Sequence, residues 1–306
     1  MTTSVHVVGH LTPGIGLMFL GFWHLFNPSN SMSKTQSPLS LPHELYIIML
    51  ETSISMFMEV FFLRVWHQLF HPNVTFLSNN LHNYEHFVIL TTFFVYATFA
   101  IVLDILKPKA RYALTQSLFA LAFVQLLLLI HYHSADHVGL EGQYHLLFEI
   151  TIVVSLLTIV LGINCPTSFI LSFIRSTSIL YQGFWFAFTG FMLWTPSMVP
   201  KGCFLYPEGG RKMVKCDGEE ALSRAKSLAN IQFSWCLVGV TIIVMSLYLI
   251  MNKLYTKRSS TRYCQVKQCL KRTQRMLKRL RSDQNSMPNG GNYILFLFVK
   301  GSKLKV

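Results

Sequence analysis

Residues 84–106 read YEHFVILTTFFVYATFAIVLDIL, and this stretch decides the fold class. Its only formal charges are Glu85 and Asp104, one near each end. At about 1.5 Å of helical rise per residue it is long enough to cross the roughly 30 Å hydrocarbon core of a bilayer. Inside that core every backbone polar group must be satisfied locally, so such a run is a helix.

The same reading applies along the rest of the chain. Apolar runs predict spans at about 7–26, 44–66, 84–106, 112–133, 143–164, 168–194 and 228–252. Asn27-Pro28-Ser29, Lys107-Pro108-Lys109 and Asn164-Cys165-Pro166 punctuate them, because proline cannot continue a helical hydrogen-bond ladder. Composition agrees: 52% of the 306 residues are hydrophobic, mean hydropathy is +0.42, and only 13% are charged. A soluble domain carries about 25% charged residues. The expected fold is therefore all-α, a polytopic seven-transmembrane-helix bundle over residues 1–255, followed by a tail, 256–306. The N-terminus lacks the positive region of a cleavable signal peptide, and its first apolar run is long enough to span.

Charge sets the expected direction. Residues 1–252 hold twelve Lys/Arg and twelve Asp/Glu, whereas 253–306 hold fourteen Lys/Arg and the single acid Asp283. The net charge of +13 thus belongs to the tail. By the positive-inside rule the tail is cytoplasmic and the N-terminus lumenal or extracellular. A juxtamembrane basic segment points to the anionic cytoplasmic leaflet rather than to nucleic acid. Val266, Leu270, Thr273, Leu277 and Leu280 have heptad spacing among Lys and Arg. They suit a basic amphipathic helix on the membrane, and a solvated disordered tail is the alternative.

On the opposite side, Cys203 and Cys216 flank a Gly/Pro-rich loop and are candidates for a disulfide in an oxidising compartment. Asn73-Val74-Thr75 is a glycosylation sequon in another loop on that side. Cys165, Cys236, Cys264 and Cys269 sit in or beside the membrane and read as packing or lipidation sites.

With the spans threaded this way, ten of the twelve histidines fall at the N-terminal side. His10 lies on the first helix and Glu59 on the second. His82 and His86 are four apart on the third, His133 and His137 four apart at the end of the fourth. His145 opens the fifth with Glu149 one turn deeper. Residues four apart share a helix face, so a single helix can supply two ligands. Imidazole and carboxylate both donate to Zn, Fe or Mn, and His10, Glu59, His82, His86, His133, His137, His145 and Glu149 form the candidate transition-metal set. The alternative is a polar packing core in which these rings only make hydrogen bonds.

Two other chemistries stay open. His10 and His24 are spaced as axial haem ligands on one helix, although the far side offers only His43 as a further ligand. Ser134 and Asp136 beside the histidines suit a metal-assisted hydrolase, without a defined nucleophile. A second polar set lies deeper or toward the tail side: His24, Glu51, Asp104, Gln116 and Arg175. Lone acids in a membrane are costly, so Glu51 and Asp104 are expected to pair with Arg175 or His24.

Several separate segments carry a family resemblance. They are Gly9-His10…Pro13-Gly14, Gly21-Phe22-Trp23-His24-Leu25-Phe26, His82-Asn83-Tyr84-Glu85-His86 and His133-Ser134-Ala135-Asp136-His137. The others are Glu141-Gly142-Gln143-Tyr144-His145, Leu193-Trp194-Thr195-Pro196, Pro200-Lys201-Gly202-Cys203 and Arg224-Ala225-Lys226-Ser227-Leu228. Over about residues 5–255 the chain resembles the transmembrane protein 45 family in its plant branch, often labelled viral-response proteins. The resemblance implies a multi-pass protein of the endomembrane system or plasma membrane with a loose link to pathogen response, and no catalytic mechanism. The basic tail departs from the more acidic tails of the relatives.

Overall fold

A computed structural model describes residues 2–26, 41–62, 81–136, 139–166, 168–208 and 211–285. Among these, seven helices and one hairpin appear: α1 Thr2–Phe26, α2 Leu41–Phe62, α3 Leu81–Leu106, α4 Arg111–Asp136, α5 Leu140–Asn164, α6 Phe169–Trp194, β1 Cys203–Glu208, β2 Arg211–Cys216 and α7 Glu219–Asn285. The chain divides into two compact units, residues 1–245 and 246–306. The protein is mostly helical.

In the first unit each of α1 to α6 packs on its neighbour in sequence, and α6 returns to α1, so the six helices form a closed ring. Large apolar side chains fill its interior, including Phe123, Ile152, Ile159, Ile179, Leu193 and Trp185. The α1–α6 closure is the tightest contact, and glycine makes it possible. A Cβ on Gly14 would sit 2.8 Å from the Gly183 carbonyl, and one on Gly21 would sit 2.5 Å from the Leu180 nitrogen. Small residues at such crossings let two membrane helices approach backbone to backbone. Because Gly14 meets Gly183 while Gly21 meets Leu180, the two helices run antiparallel.

Outside the ring the pattern inverts. Phe57, Phe99, Leu121, Leu157, Ile170 and Trp235 are all more than 45% exposed, an apolar surface that suits lipid and not water. Among the described residues four helices are long and apolar enough to cross a membrane: Tyr84–Leu106, Arg111–Tyr132, Leu140–Asn164 and Glu219–Lys253. These are the third, fourth, fifth and seventh of the expected spans. The other three fall on α1, α2 and α6: α1 and α6 are diluted by Gly, His, Pro, Arg, Gln and hydroxyl residues, and the side chains of α2 are described only over 44–58.

Residues 219–245 of α7 pack outside the α1–α6 seam, where Val240 and Val244 meet Leu180, Tyr181, Met18, Phe22 and Leu25. The Tyr181 hydroxyl donates to the Phe233 carbonyl at 2.7 Å, and the Tyr144 hydroxyl to Gln232 at 2.5 Å. In the second unit α7 continues as helix to Asn285, beyond the span expected at 228–252. Between α6 and α7 the antiparallel hairpin pairs Cys203 with Cys216, and those two sulfurs are joined. Gly218, with φ 88°, turns the chain from β2 into α7, where a side chain would be strained.

Candidate functional site

The N-terminal end of the ring holds most of the predicted ligands. His10 is buried, and its ring lies 4.5 Å from Phe186 and 4.5 Å from Trp194, both on α6. His86 of α3 approaches it edge-on at 6.3 Å. Gly190 leaves the space, since a Cβ there would come within 2.7 Å of the His10 Cβ. The imidazole is thus packed as an aromatic plate.

The other half of the layer belongs to α4 and α5. His131 Nδ1 lies 3.2 Å from Glu149 Oε2; the histidine is 65% exposed and the acid 11%. His145, one turn earlier on α5, is buried. Two contacts of the layer are thus His10 with His86 and Glu149 with His131, and Phe186, which stacks on both His10 and Phe148 of α5, lies between α1 and α5. His131, absent from the predicted ligand set, engages Glu149. Among the described residues no three His, Cys, Asp or Glu side chains come together as metal ligands. Of the predicted set, the side chains of Glu59, His82 and His133, and all of His137, lie outside the described residues. So do Asn73 and the side chains of His43, Ser134 and Asp136.

At mid-depth α5 and α6 share a hydroxyl–amide network. Gln182 is fully buried, and its amide nitrogen donates to Ser155 Oγ at 2.6 Å and to the Thr151 carbonyl at 2.9 Å. Ser155 bonds Ser178 at 2.9 Å, and Ser178 in turn donates to Thr151. The indole of Trp185 donates to the Tyr144 carbonyl at 3.2 Å. These bonds offset the desolvation of the groups that make them, while the Gln182 amide oxygen has no partner among the described residues.

The opposite end carries charge. His24 on α1 pairs with Glu44 on α2. Arg175 on α6 donates to Gln116 on α4 at 2.8 Å and is close enough to Glu44 to interact electrostatically. Tyr112 donates to the Gly162 carbonyl at 3.1 Å. Trp23 Nε1, His24 Nδ1 and Arg175 Nε are buried without hydrogen-bond partners among the described residues.

The expected pairings of Glu51 and Asp104 are corrected here. Asp104 takes Arg111 across the short α3–α4 turn at 3.3 Å. His24 goes to Glu44, and Arg175 to the neutral Gln116. Glu51 packs against Gly16 of α1, where any Cβ would overlap its carboxyl group. Glu44 went unrecognised in the sequence. The signal was there: antiparallel first and second helices bring the end of one, His24, to the start of the next.

Residues 112–249 match the model of a family of unknown function, DUF716. The matched stretch takes in α4 from Tyr112, α5, α6, the disulfide hairpin and α7 as far as Leu249, most of its membrane-capable part. It includes the Thr151/Ser155/Gln182 network, Glu149 and Arg175, while His10, Glu44, Glu51 and His86 precede it. No curated protein matches the chain.

Proposed function

We propose that this chain is a multi-pass integral membrane protein, a member of the transmembrane protein 45 family, whose histidine layer is a polar packing core rather than a metal centre. The family reading is supported by the quoted segments and by the match of residues 112–249 to DUF716. The proposed topology is seven spans over 1–255 with a lumenal or extracellular N-terminus. The basic tail, 256–306, is cytoplasmic, facing anionic lipid at the endomembrane system or plasma membrane. The charge split and the Cys203–Cys216 disulfide support that direction.

One observation carries the packing reading: the His10 ring is flanked by Phe186 and Trp194, with the edge of His86 beside them. A metal ligand needs its lone pair aimed at an ion shared with other donors, and no such set forms among the described residues. The role we propose is non-enzymatic, with the polar layer fixing how the helices pack.

Metal analysis of the detergent-purified protein tests this, with wild type beside His10→Ala, His86→Ala and His137→Ala. Equal and negligible metal in all four, with lowered thermal stability in His10→Ala, is the expected result. Stoichiometric metal in wild type that is lost in the variants restores the metal reading. Absorbance in the Soret region would restore the haem reading.

A further inference from the structure

Two faces of α7 carry different residues. In the first unit Ala225, Ala229, Val240 and Val244 are buried, the two valines against the α1–α6 seam. On the other face stand Leu228, Ile231, Trp235, Val238, Ile242 and Met245, each 40% exposed or more. At 3.6 residues per turn, Val238 and Ile242 each lie about 200° round the helix from Val240. A second copy of this chain can reach that face without disturbing the packing on α1 and α6.

Exposure there is what lipid requires, so by itself it names no partner. The steps between those six residues are 3, 4, 3, 4 and 3, the alternation of a heptad seam. Leu237 and Ile243 are exposed too, so inside the membrane this spacing alone decides nothing. Its continuation does. In the second unit the sequence of α7 keeps the same alternation in phase, through Leu249, the polar Asn252, Thr256 and Ser259, then Tyr263, Val266, Leu270, Thr273, Leu277 and Leu280. No hydrocarbon run explains apolar residues in this basic stretch. The series from 228 to 280 holds phase well beyond the roughly three to four heptads that mark a coiled coil.

The basic residues choose the partner. With Leu270 at heptad position a, Lys271, Arg272, Arg275, Lys278 and Arg279 fall at positions b, c and f, on the far side of the helix from the seam. Laid seam-down on a membrane, the helix would hold these bases away from the headgroups. An acidic partner lying along the seam would miss them as well. Two copies paired along the seam leave them outward, free for anionic lipid. In a parallel pair the flanking contacts are Arg262 with Lys267, Cys269 with Gln274 and Met276 with Arg281, so a single like-charge contact opposes pairing.

We infer that α7 is the seam of a parallel homodimer. Residues 228–245 of two copies meet within the bilayer, and residues 263–280 meet beyond it. Copies inserted in one membrane share an orientation, which makes the pair parallel and in register. Van der Waals packing drives the first contact, and burial of apolar residues from water drives the second. The inference rests on the integral-membrane reading and is independent of the histidine layer.

Single cysteines in the full-length chain test it, with Cys165, Cys236, Cys264 and Cys269 replaced by alanine and the Cys203–Cys216 disulfide kept. Oxidation by copper phenanthroline in native membranes should join Ile242→Cys, and likewise Leu270→Cys, into a reducible species of twice the chain mass. Leu237→Cys and Arg275→Cys, off the seam in each stretch, should give several-fold less. Adding Leu277→Glu and Leu280→Glu should lower the Leu270→Cys yield to that of Arg275→Cys. Equal yields on and off the seam overturn the pairing, as do cross-linking in one stretch only, none in either, or a yield the two glutamates leave unmoved. Release of the wild type from carbonate-washed membranes would overturn the integral-membrane reading and this dimer with it. Failed cross-linking in protein that stays in the membrane removes the dimer alone.

Discussion

The carboxylate of Glu141, in the first turn of α5, accepts the backbone N–H of Val214, in the second strand of the hairpin, at 2.9 Å. Both residues are buried. The bond anchors an extramembrane hairpin to the helical ring, and the Cys203–Cys216 disulfide closes the hairpin at its base. Glu141→Ala leaves the Val214 N–H buried and unsatisfied, which costs about 1–3 kcal/mol. Glu141→Gln keeps an acceptor and should recover most of that loss. Thermal unfolding in detergent, compared with protease cleavage within 201–218, distinguishes the two variants. Unchanged melting and unchanged cleavage in Glu141→Ala would show the anchor to be dispensable.

The α1–α6 seam predicts opposite outcomes for two glycine substitutions. At Gly14 a Cβ meets the Gly183 carbonyl at 2.8 Å and the Ala187 Cβ at 2.9 Å, so the backbones themselves must part. Gly14→Val should destabilise by about 3 kcal/mol, the upper end of overpacking costs. Gly239 on α7 has nothing within 4 Å of the same position. Gly239→Ala should be neutral or stabilise by about 0.5–1 kcal/mol, since alanine holds a helix better than glycine. Thermal shifts of the two variants in one detergent check the contrast.

The Gln182 network separates shape from polarity. Its two acceptors each keep another bond when Gln182 is removed: Thr151 still receives Ser178, and Ser155 still reaches Ser178. The amide oxygen of Gln182 meanwhile has no partner among the described residues. Gln182→Leu preserves volume and removes that unsatisfied oxygen, so it should stay within about 1 kcal/mol of wild type. Gln182→Ala opens a cavity in a fully buried position and should cost about 2–4 kcal/mol. Equal damage from both variants would mean the hydrogen bonds matter more than the packing.

Much of the helical plan was legible because hydropathy reports it directly. The third, fourth and sixth predicted spans, 84–106, 112–133 and 168–194, lie within three residues of helices Leu81–Leu106, Arg111–Asp136 and Phe169–Trp194. The last helix shows the limit. It begins at Glu219, not near 228, because hydropathy sees apolar residues and overlooks Glu219, Glu220, Ala221 and Ala225, which start a helix by charge and propensity. Pairings were less legible still. Of the groups expected to share a metal, His10 stacks on Phe186 and Trp194 while Glu149 pairs with His131, a residue outside that set, because helix rotation decides which way each side chain points. Apolar residues surround these helices on the lipid side as well as the core side, so periodicity carries little information about that rotation.

The His24–Glu44 pair offers a test of how charge is held at the far end of the ring. Both side chains are largely buried, 16% and 20% exposed. Removing one partner strands the other, and for fully buried pairs that costs about 3–5 kcal/mol. Partial exposure at this site lowers the expected loss for His24→Leu or Glu44→Leu to about 1–3 kcal/mol. His24→Leu should be the worse of the two, because among the described residues it leaves the carboxylate with Arg175 alone in electrostatic reach. Replacing both residues with leucine removes the charges together and should be less damaging than His24→Leu alone. A double-mutant cycle measured by thermal or denaturant unfolding reads the coupling. Strictly additive losses would show that His24 and Glu44 are neighbours without being partners, and that Arg175 alone holds the acid in place.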